Sequence, residues 1–426
     1  MIGMGAAGGT GGPSSPIGSS RPIGASGAIS PIGGGRRVRV LSVFGARPDA
    51  VKMAPLANLL RADPRFDALV CVTAQHRQML DQVLSLFKIK PDFDLNIMRE
   101  SQTLEEITTR ALEGVGRVVA DAAPDIVLAH GDTTTGFAAS LAAFYRKTPV
   151  GHVEAGLRTR NIYFPFPEEM NRKLIGAIAT MHFAPTRANR ENLLREGVGG
   201  DGIYVTGNTA IDALKATARA GYRFESAALG GLDFGKYRVL AVEAHRRENL
   251  GEPLRRIFGA LLRLLDEYRD MFVVYPVHPN PAVAGPAREM LSGHERVMLL
   301  EPLGLGDMHN LIMRSYLVLT DSGGIQEEGP SLGAPVLVLR NETERPEAVA
   351  AGTVRLAGTS SGSVFGAVAE LADSPAARDA MARAANPYGD GNAAARIAQA
   401  IASRFLPGEP PPEPFEPEGG DSAAAG

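Results

Sequence analysis

Apolar residues fall into short dense runs, separated by longer stretches with helical spacing. Ten runs read as strands: 38–44 (VRVLSVF), 68–73, 125–129 (DIVLA), 149–153, 202–206, 237–242, 272–277 (FVVYPV), 296–300, 316–319 and 335–339. None alternates strictly between apolar and polar, so each is expected to be buried on both faces. Segments of ten to fifteen residues with helical patterning lie between them. Strand and helix in alternation predict parallel sheets covered on both sides. Ten strands divide naturally into two such sheets, with a polar, glycine-containing stretch inside 207–236 following the first. The expected fold is α/β: two Rossmann-like doubly wound domains, 37–206 and 207–389, with a cleft between them. A last helix at about 390–406 is expected to return to the first domain.

The two ends of the chain change this picture little. Residues 1–36 are mostly Gly, Ser, Ala, Pro and Ile in loose repeats such as SPIG. They lack the charged start and apolar core of a signal peptide and read as a disordered tail. Residues 407–426 are acidic and proline-rich and read as a second one. No apolar stretch approaches the length of a membrane helix. A net charge of -3 gives no electrostatic reason to expect nucleic acid or an acidic membrane as partner. The single cysteine, Cys71, excludes a disulfide within the chain and fits a cytoplasmic location.

Ligands of doubly wound sheets sit outside the carboxyl ends of the strands. Five of the eight histidines follow a predicted strand: His76, His130, His152, His245 and His278. Arg47, Asp132, Glu154 and Asp321 do the same. The first turn, Phe44-Gly-Ala-Arg-Pro-Asp49, lacks the three-glycine fingerprint of a nicotinamide site. Arg47 and Lys52 there offer positive charge to a phosphate, or Arg47 pairs with a structural acid. Asp132 and Glu168 are either site carboxylates or turn and helix-start residues. His152 and Glu154, two apart in an extended segment, share a side. No third ligand is spaced to complete a metal site with them, which leaves acid–base work. Ser322-Gly323-Gly324 joins the strand 316–319 to a helix expected to end at Gly329-Pro330. Such a junction binds anions, or is a plain helix cap. Glu327 and Glu328 lie where ribose hydroxyls would be taken. His278 is either structural or part of the cleft. Together these residues suit a nucleotide sugar, with the nucleotide on the second half and the sugar against Asp132, Glu154 and Glu168. Transfer, hydrolysis and rearrangement of the sugar all remain open at this point.

Nine motifs in order narrow the choice: VFGARPDAVKMAPL, VTAQHRQMLDQVL, HGDTTT, HVEAGLRT, FPEEMNR, TGNTAIDAL, AHRREN, TDSGGIQEEGPSLGAPVLVLR and ERPEAV. Over about 37–385 the chain resembles the non-hydrolysing UDP-N-acetylglucosamine 2-epimerases of bacteria. The resemblance implies a fold like that of B-type glycosyltransferases and usually a homodimer. It implies interconversion of UDP-N-acetylglucosamine and UDP-N-acetylmannosamine for polysaccharide biosynthesis, with no metal and no nicotinamide. By the same resemblance Asp132, Glu154 and Glu168 carry protons and His245 serves the leaving diphosphate. Arg47, Lys52, His278, Ser322, Gly323, Gly324 and Glu328 bind substrate. The proton carriers are expected to have raised pKa values. Gln75, His76 and Gln78 match an allosteric site for UDP-N-acetylglucosamine, although Ser101 stands where relatives often have arginine. Three further departures are Ala46 and Asp49, where the family commonly has Thr and Glu, and Glu243, where it usually has threonine. A hydrolysing epimerase, a glycosyltransferase of the same architecture and a nucleotide-sugar sensor are the rival readings.

Overall fold

The structure, a computed structural model, describes residues 35–74, 77–99 and 102–417. The first sheet contains β1 (Val38–Phe44), β2 (Phe66–Val72), β3 (Phe93–Asp94), β4 (Ile126–His130), β5 (Val150–Val153), β6 (Met181–Ala184) and β7 (Ile203–Val205). The second contains β8 (Arg238–Glu243), β9 (Met271–Pro276), β10 (Val297–Leu300), β11 (Leu317–Thr320), β12 (Val336–Val338) and β13 (Val354–Leu356). Every pairing is parallel. The orders are β3-β2-β1-β4-β5-β6-β7 and β10-β9-β8-β11-β12-β13. Helices connect the strands throughout, so the fold is α/β and doubly wound twice over. Three strands escape the sequence pattern: β3, β6 and β13 have two, four and three residues. Runs that short carry no period, and His182 interrupts β6.

In each sheet the strand order reverses once, between β1 and β4 and between β8 and β11. The chain splays apart at such a point and opens a crevice at the carboxyl edge. The turns after these four strands carry most of the chemistry described below.

The last helix, Ala393–Phe405, is part of the first unit's core: Ile397, Ile401 and Phe405 are buried with Val38, Phe44 and Leu60. Asp212, from the helix Thr209–Thr217, accepts from the backbone N–H of Ala393 (3.2 Å) and Ala394 (2.8 Å). It thereby caps the returning helix. The two crossovers between units touch, with Asn208 N donating to Tyr388 O at 2.7 Å. Gly207 has φ +83 there, and a Cβ on it would lie 3.3 Å from Gly389 Cα. The helix Gly323–Ser331 runs past the stop expected at Gly329-Pro330. A Cβ on Gly329 would come 2.5 Å from Val336 Cγ2, so glycine permits close contact with β12 rather than ending the helix.

The chain from 407, read as a disordered tail, departs from that expectation as far as 417. Phe415 is 3% exposed and its N–H donates to Val205 O at 2.8 Å. Arg396 stacks over its ring, Arg65 pairs with Glu409 at 2.8 Å, and Gln399 donates to Pro410 O at 2.7 Å. One aromatic anchor and acids placed opposite arginines hold a segment whose average composition suggests none. Residues 1–34 and 418–426 of the two expected tails lie outside the described residues. No helix among those described is long and apolar enough to cross a membrane.

Candidate active site

The first wall is built by the turns after β1, β4 and β5. Arg47 opens the helix Arg47–Ala62 and places Lys52 in its second turn. Lys52 Nζ pairs with Glu154. His130 Nε2 lies 2.9 Å from the same carboxylate oxygen, close but not aligned as a hydrogen bond. Glu154 follows β5 with φ +63, a left-handed conformation costly for a side-chain-bearing residue and typical of functional turns. Burial pushes the Glu154 carboxyl up, but Lys52 and His130 overcome it and hold the group well below the usual range. The expected upward shift is therefore absent at Glu154. Burial draws the Lys52 ammonium down; Glu154, Glu327 and Asp132 more than reverse this, and its pKa is raised. His152 does not join Glu154. It is fully buried, with Nε2 2.7 Å from Gly131 O, and burial lowers it to about 3. It is a neutral structural histidine. Asp49 accepts from the N–H groups of Gly45 (3.0 Å), Ala46 (2.8 Å) and Ala50 (3.0 Å), which pins the first turn.

Asp132 pairs with Arg172, which also holds Glu169 at 2.9 Å. Asn171 Nδ2 donates to Asp132 O at 2.9 Å. Glu169 is buried and accepts from the N–H groups of Thr159 and Arg160, both at 3.1 Å, so it folds the preceding loop. Glu168 takes no part in that network. It stands three and four residues before Asn171 and Arg172, on the helix face turned toward Asp132.

The second wall is built by the turns after β8, β9 and β11. Ser322 caps Gly323–Ser331 without a side-chain bond, and its own N–H donates to Thr320 Oγ1 at 2.9 Å. A Cβ on Gly323 would lie 3.4 Å from Arg246 Nη2 and 3.7 Å from Arg345 Nη2. Two guanidiniums thus converge on a helix start whose first N–H groups have no intrahelical acceptor. Such a convergence of positive charge and free N–H groups suits a polyanion. Arg345 pairs with Glu327, which is 4% exposed and also accepts from Asn208 Nδ2 at 3.0 Å. Glu327 is spent there and is not free for a ribose, contrary to the expectation. Glu328 faces His309 Nε2 at 3.7 Å, and burial, with the Glu327 charge, pushes it up to about 7. His309 is itself buried, lowered to about 4, with Nδ1 2.6 Å from Thr217 Oγ1.

His245 Nδ1 lies 2.6 Å from Glu243 Oε1. Its ring stacks on His278, 5.1 Å between centroids at 18°. Its backbone N–H donates to Asp321 Oδ1 (3.1 Å) and Oδ2 (3.0 Å). Asp321 also accepts from Arg246 N (2.9 Å) and Asn249 Nδ2 (2.8 Å). The bond to Glu243 raises the His245 pKa against burial. Donor atoms of Glu243, His245 and Asp321 lie within 4.8 Å of one another, the one such trio among the described residues. Asp321 is taken up by the backbone N–H groups of His245 and Arg246 and by Asn249, and Glu243 by Thr320.

The walls face one another. Lys52 and Arg47 of the first act electrostatically on Glu328 of the second, and Glu154 acts on Arg345. A carboxylate-rich wall thus opposes, across one cleft, a wall whose helix start and arginines suit an anion. The family model described as UDP-N-acetylglucosamine 2-epimerase matches residues 58–402. The chain belongs to that family. It is 54% identical to UDP-N-acetylglucosamine 2-epimerase of Bacillus subtilis over 367 residues, 86% of this chain and 95% of the relative. The solved UDP-GlcNAc 2-epimerase from Neisseria meningitidis bound to UDP-GlcNAc is similar with TM-score 0.77 and 48% identity. It matches over 86% of this chain and all of that one. The S. aureus MnaA–UDP structure matches with TM-score 0.79 and 46% identity, over 89% of this chain and all of that one. The two-domain fold is the one these 2-epimerases share with B-type glycosyltransferases.

Within this 2-epimerase fold, Arg47, Lys52, Asp132, Glu154, His245, His278, Ser322, Gly323, Gly324 and Glu328 all stand on the two facing rims. Glu168 stands beside them without a direct bond. Gln75 and His76, from the suggested allosteric stretch, lie outside the described residues, as does Ser101; Gln78 belongs to the helix Arg77–Leu86. Sequence reasoning missed Arg172 and Arg345 as site residues. Both had a signal: each is the basic residue of an acid-rich motif, FPEEMNR and ERPEAV, and a buried acid needs a cation.

Proposed function

We propose that this protein interconverts UDP-N-acetylglucosamine and UDP-N-acetylmannosamine without hydrolysis. The facing of a carboxylate wall and a polyanion site carries this reading. The diphosphate sits at the helix start, on Ser322, Gly323, Gly324, Arg246 and Arg345, with the ribose at Glu328. The sugar then points at Asp132, Glu154 and Glu168. Its C2 hydrogen is not beside a carbonyl and is not acidic. Its removal must therefore accompany departure of UDP. A carboxylate takes the C2 proton, the C–H electrons form the C1=C2 bond, and the C1–O bond breaks. The products in the closed site are 2-acetamidoglucal and UDP. Return of UDP to C1 and of a proton to the opposite face of C2 gives the epimer. Two faces require two differently placed proton carriers, which accounts for several carboxylates. Arg47 and His245 stabilise the charge growing on the diphosphate. Lys52 adds a switch. In the empty site it suppresses the basicity of Glu154; an arriving diphosphate competes for its ammonium and returns Glu154 toward ordinary basicity.

Proton NMR of UDP-N-acetylglucosamine with the enzyme in heavy water tests this. Deuterium at C2, with UDP-N-acetylmannosamine growing in, is the expected result. Free N-acetylmannosamine with UDP would establish a hydrolysing enzyme instead, and absence of exchange would overturn the epimerase reading. The assembly proposed is a homodimer. Exposed Tyr163, Phe164, Phe166, Met170 and Leu174 lie on and beside the helix Glu168–Ile178 and form the apolar face a second copy would cover. Sedimentation should show twice the mass of one chain; a monomer at micromolar concentration would remove this part.

A further inference from the structure

Glu243 ends β8 and is paired in register with Thr320, the last residue of β11. It therefore stands at the point where the second sheet reverses its order. Its side chain is largely buried, 18% exposed, and no lysine or arginine among the described residues pairs with it. A buried carboxylate without a cation is costly unless its oxygens are bonded. Oε2 accepts from Thr320 Oγ1 at 2.8 Å, and Oε1 lies in ion-pair contact with His245 Nδ1 at 2.6 Å. Glu243 and His245 are two apart on either side of buried Ala244, so both project to the same side.

We infer that Glu243 is a positioning residue for His245, holding Nδ1–H so that Nε2 is presented to the departing diphosphate. This rests on the reading that UDP leaves at this wall. Thr320 fixes the carboxylate and the carboxylate fixes the ring and its tautomer, while stacked His278 limits ring rotation. With Nδ1–H given to Glu243, a neutral ring would turn a lone pair toward the diphosphate. Only the imidazolium offers Nε2–H to it. That hydrogen bond strengthens as the C1–O bond breaks, and no proton need transfer. The charged groups around the ring are few. Glu243 acts from β8 and Asp321 from the turn after β11, 4.0 Å from Nδ1, both favouring the imidazolium. Arg246, on the same turn as His245, opposes them, and His278 faces the ring from the turn after β9.

The test follows the His245 ring by NMR in the full-length enzyme, without substrate. In the parent protein it should titrate above the ordinary value of 6.5. In Glu243→Gln, which keeps the shape and one hydrogen bond, the midpoint should fall by about one pH unit, a tenfold change in proton affinity. The protonated ring is the active form, so the alkaline limb of kcat should move to lower pH by the same amount, with KM little changed. Glu243→Asp should restore part of the shift. Combined with His245→Ala, Glu243→Gln should lower turnover no further. An unchanged His245 midpoint overturns the inference, as does an equal loss of rate from Glu243→Gln in the His245→Ala background. Should Glu243→Gln fail to fold, Glu243→Thr takes its place with the same expectations. The ring titration needs no turnover. It decides this inference even if the parent protein leaves UDP-N-acetylglucosamine unchanged, a result that would sink the functional reading instead.

Discussion

Replacing Glu154 with glutamine is expected to lower epimerisation by about 10²- to 10⁴-fold, the usual contribution of a positioned proton carrier. UDP should still bind, because the helix start at Ser322, Arg246 and Arg345 lies on the opposite wall. The fold should tolerate the change, since Lys52 keeps the nearby charges of Glu327 and Asp132. Asp132→Asn is expected to cost turnover in the same range, with Arg172 retaining Glu169. The two variants should differ in one respect. Glu154 is held by Lys52, so its removal frees an ammonium for the diphosphate and should tighten UDP binding. Asp132 has no bond to Lys52, and its removal should leave UDP affinity nearly unchanged. Turnover by a coupled assay and UDP affinity by calorimetry measure both. Near-normal turnover in either variant would mean that the wrong carboxylate has been named.

Arg345→Ala should produce the largest loss of stability together with a loss of UDP affinity. It strips the ion-pair partner from Glu327, a carboxylate only 4% exposed whose remaining side-chain hydrogen bond is from Asn208. Breaking one side of a buried pair costs about 3–5 kcal/mol, most of it the penalty of the stranded charge. The same change removes one of the two guanidiniums at the helix start. A charge-assisted bond is worth about 1.5–3 kcal/mol, or roughly tenfold to a hundredfold in affinity. A second substitution separates the two effects. Arg345→Ala with Glu327→Gln should recover much of the stability, because the stranded charge is gone, and none of the affinity. Thermal unfolding and UDP titration of the single and double variants decide the matter. Recovery of affinity in the double variant would place Arg345 outside the anion site.

What could be read from the chain followed from pattern length. Strands such as β1 and β9, seven and six residues long and mostly apolar, announce themselves, whereas β3 and β13 are set by their neighbours in the sheet. Site residues were legible where they follow strands at the reversal points, as Asp132, His245 and Ser322 do. Partnerships were not. Nothing in FPEEMNR says that Glu169 is structural while Glu168 is left outside that network; that depends on where Thr159 and Arg160 return. Nor could adjacency tell Glu327 from Glu328. One points back to Asn208 and Arg345, the other toward His309, because neighbours on a helix diverge by 100°. The depressed Glu154 was likewise hidden, since Lys52 is 102 residues away in the chain.

The return of the last helix also sets an order of events at the ribosome. All buried members of the second unit's two core clusters lie between Leu229 and Tyr388. The first unit's core needs Ile397, Ile401 and Phe405 as well. A nascent chain usually completes its domains in the order they are made. Here the later-made unit can close while the earlier one waits, its apolar groove beside the helix Arg47–Ala62 open until Ala393–Phe405 has been made.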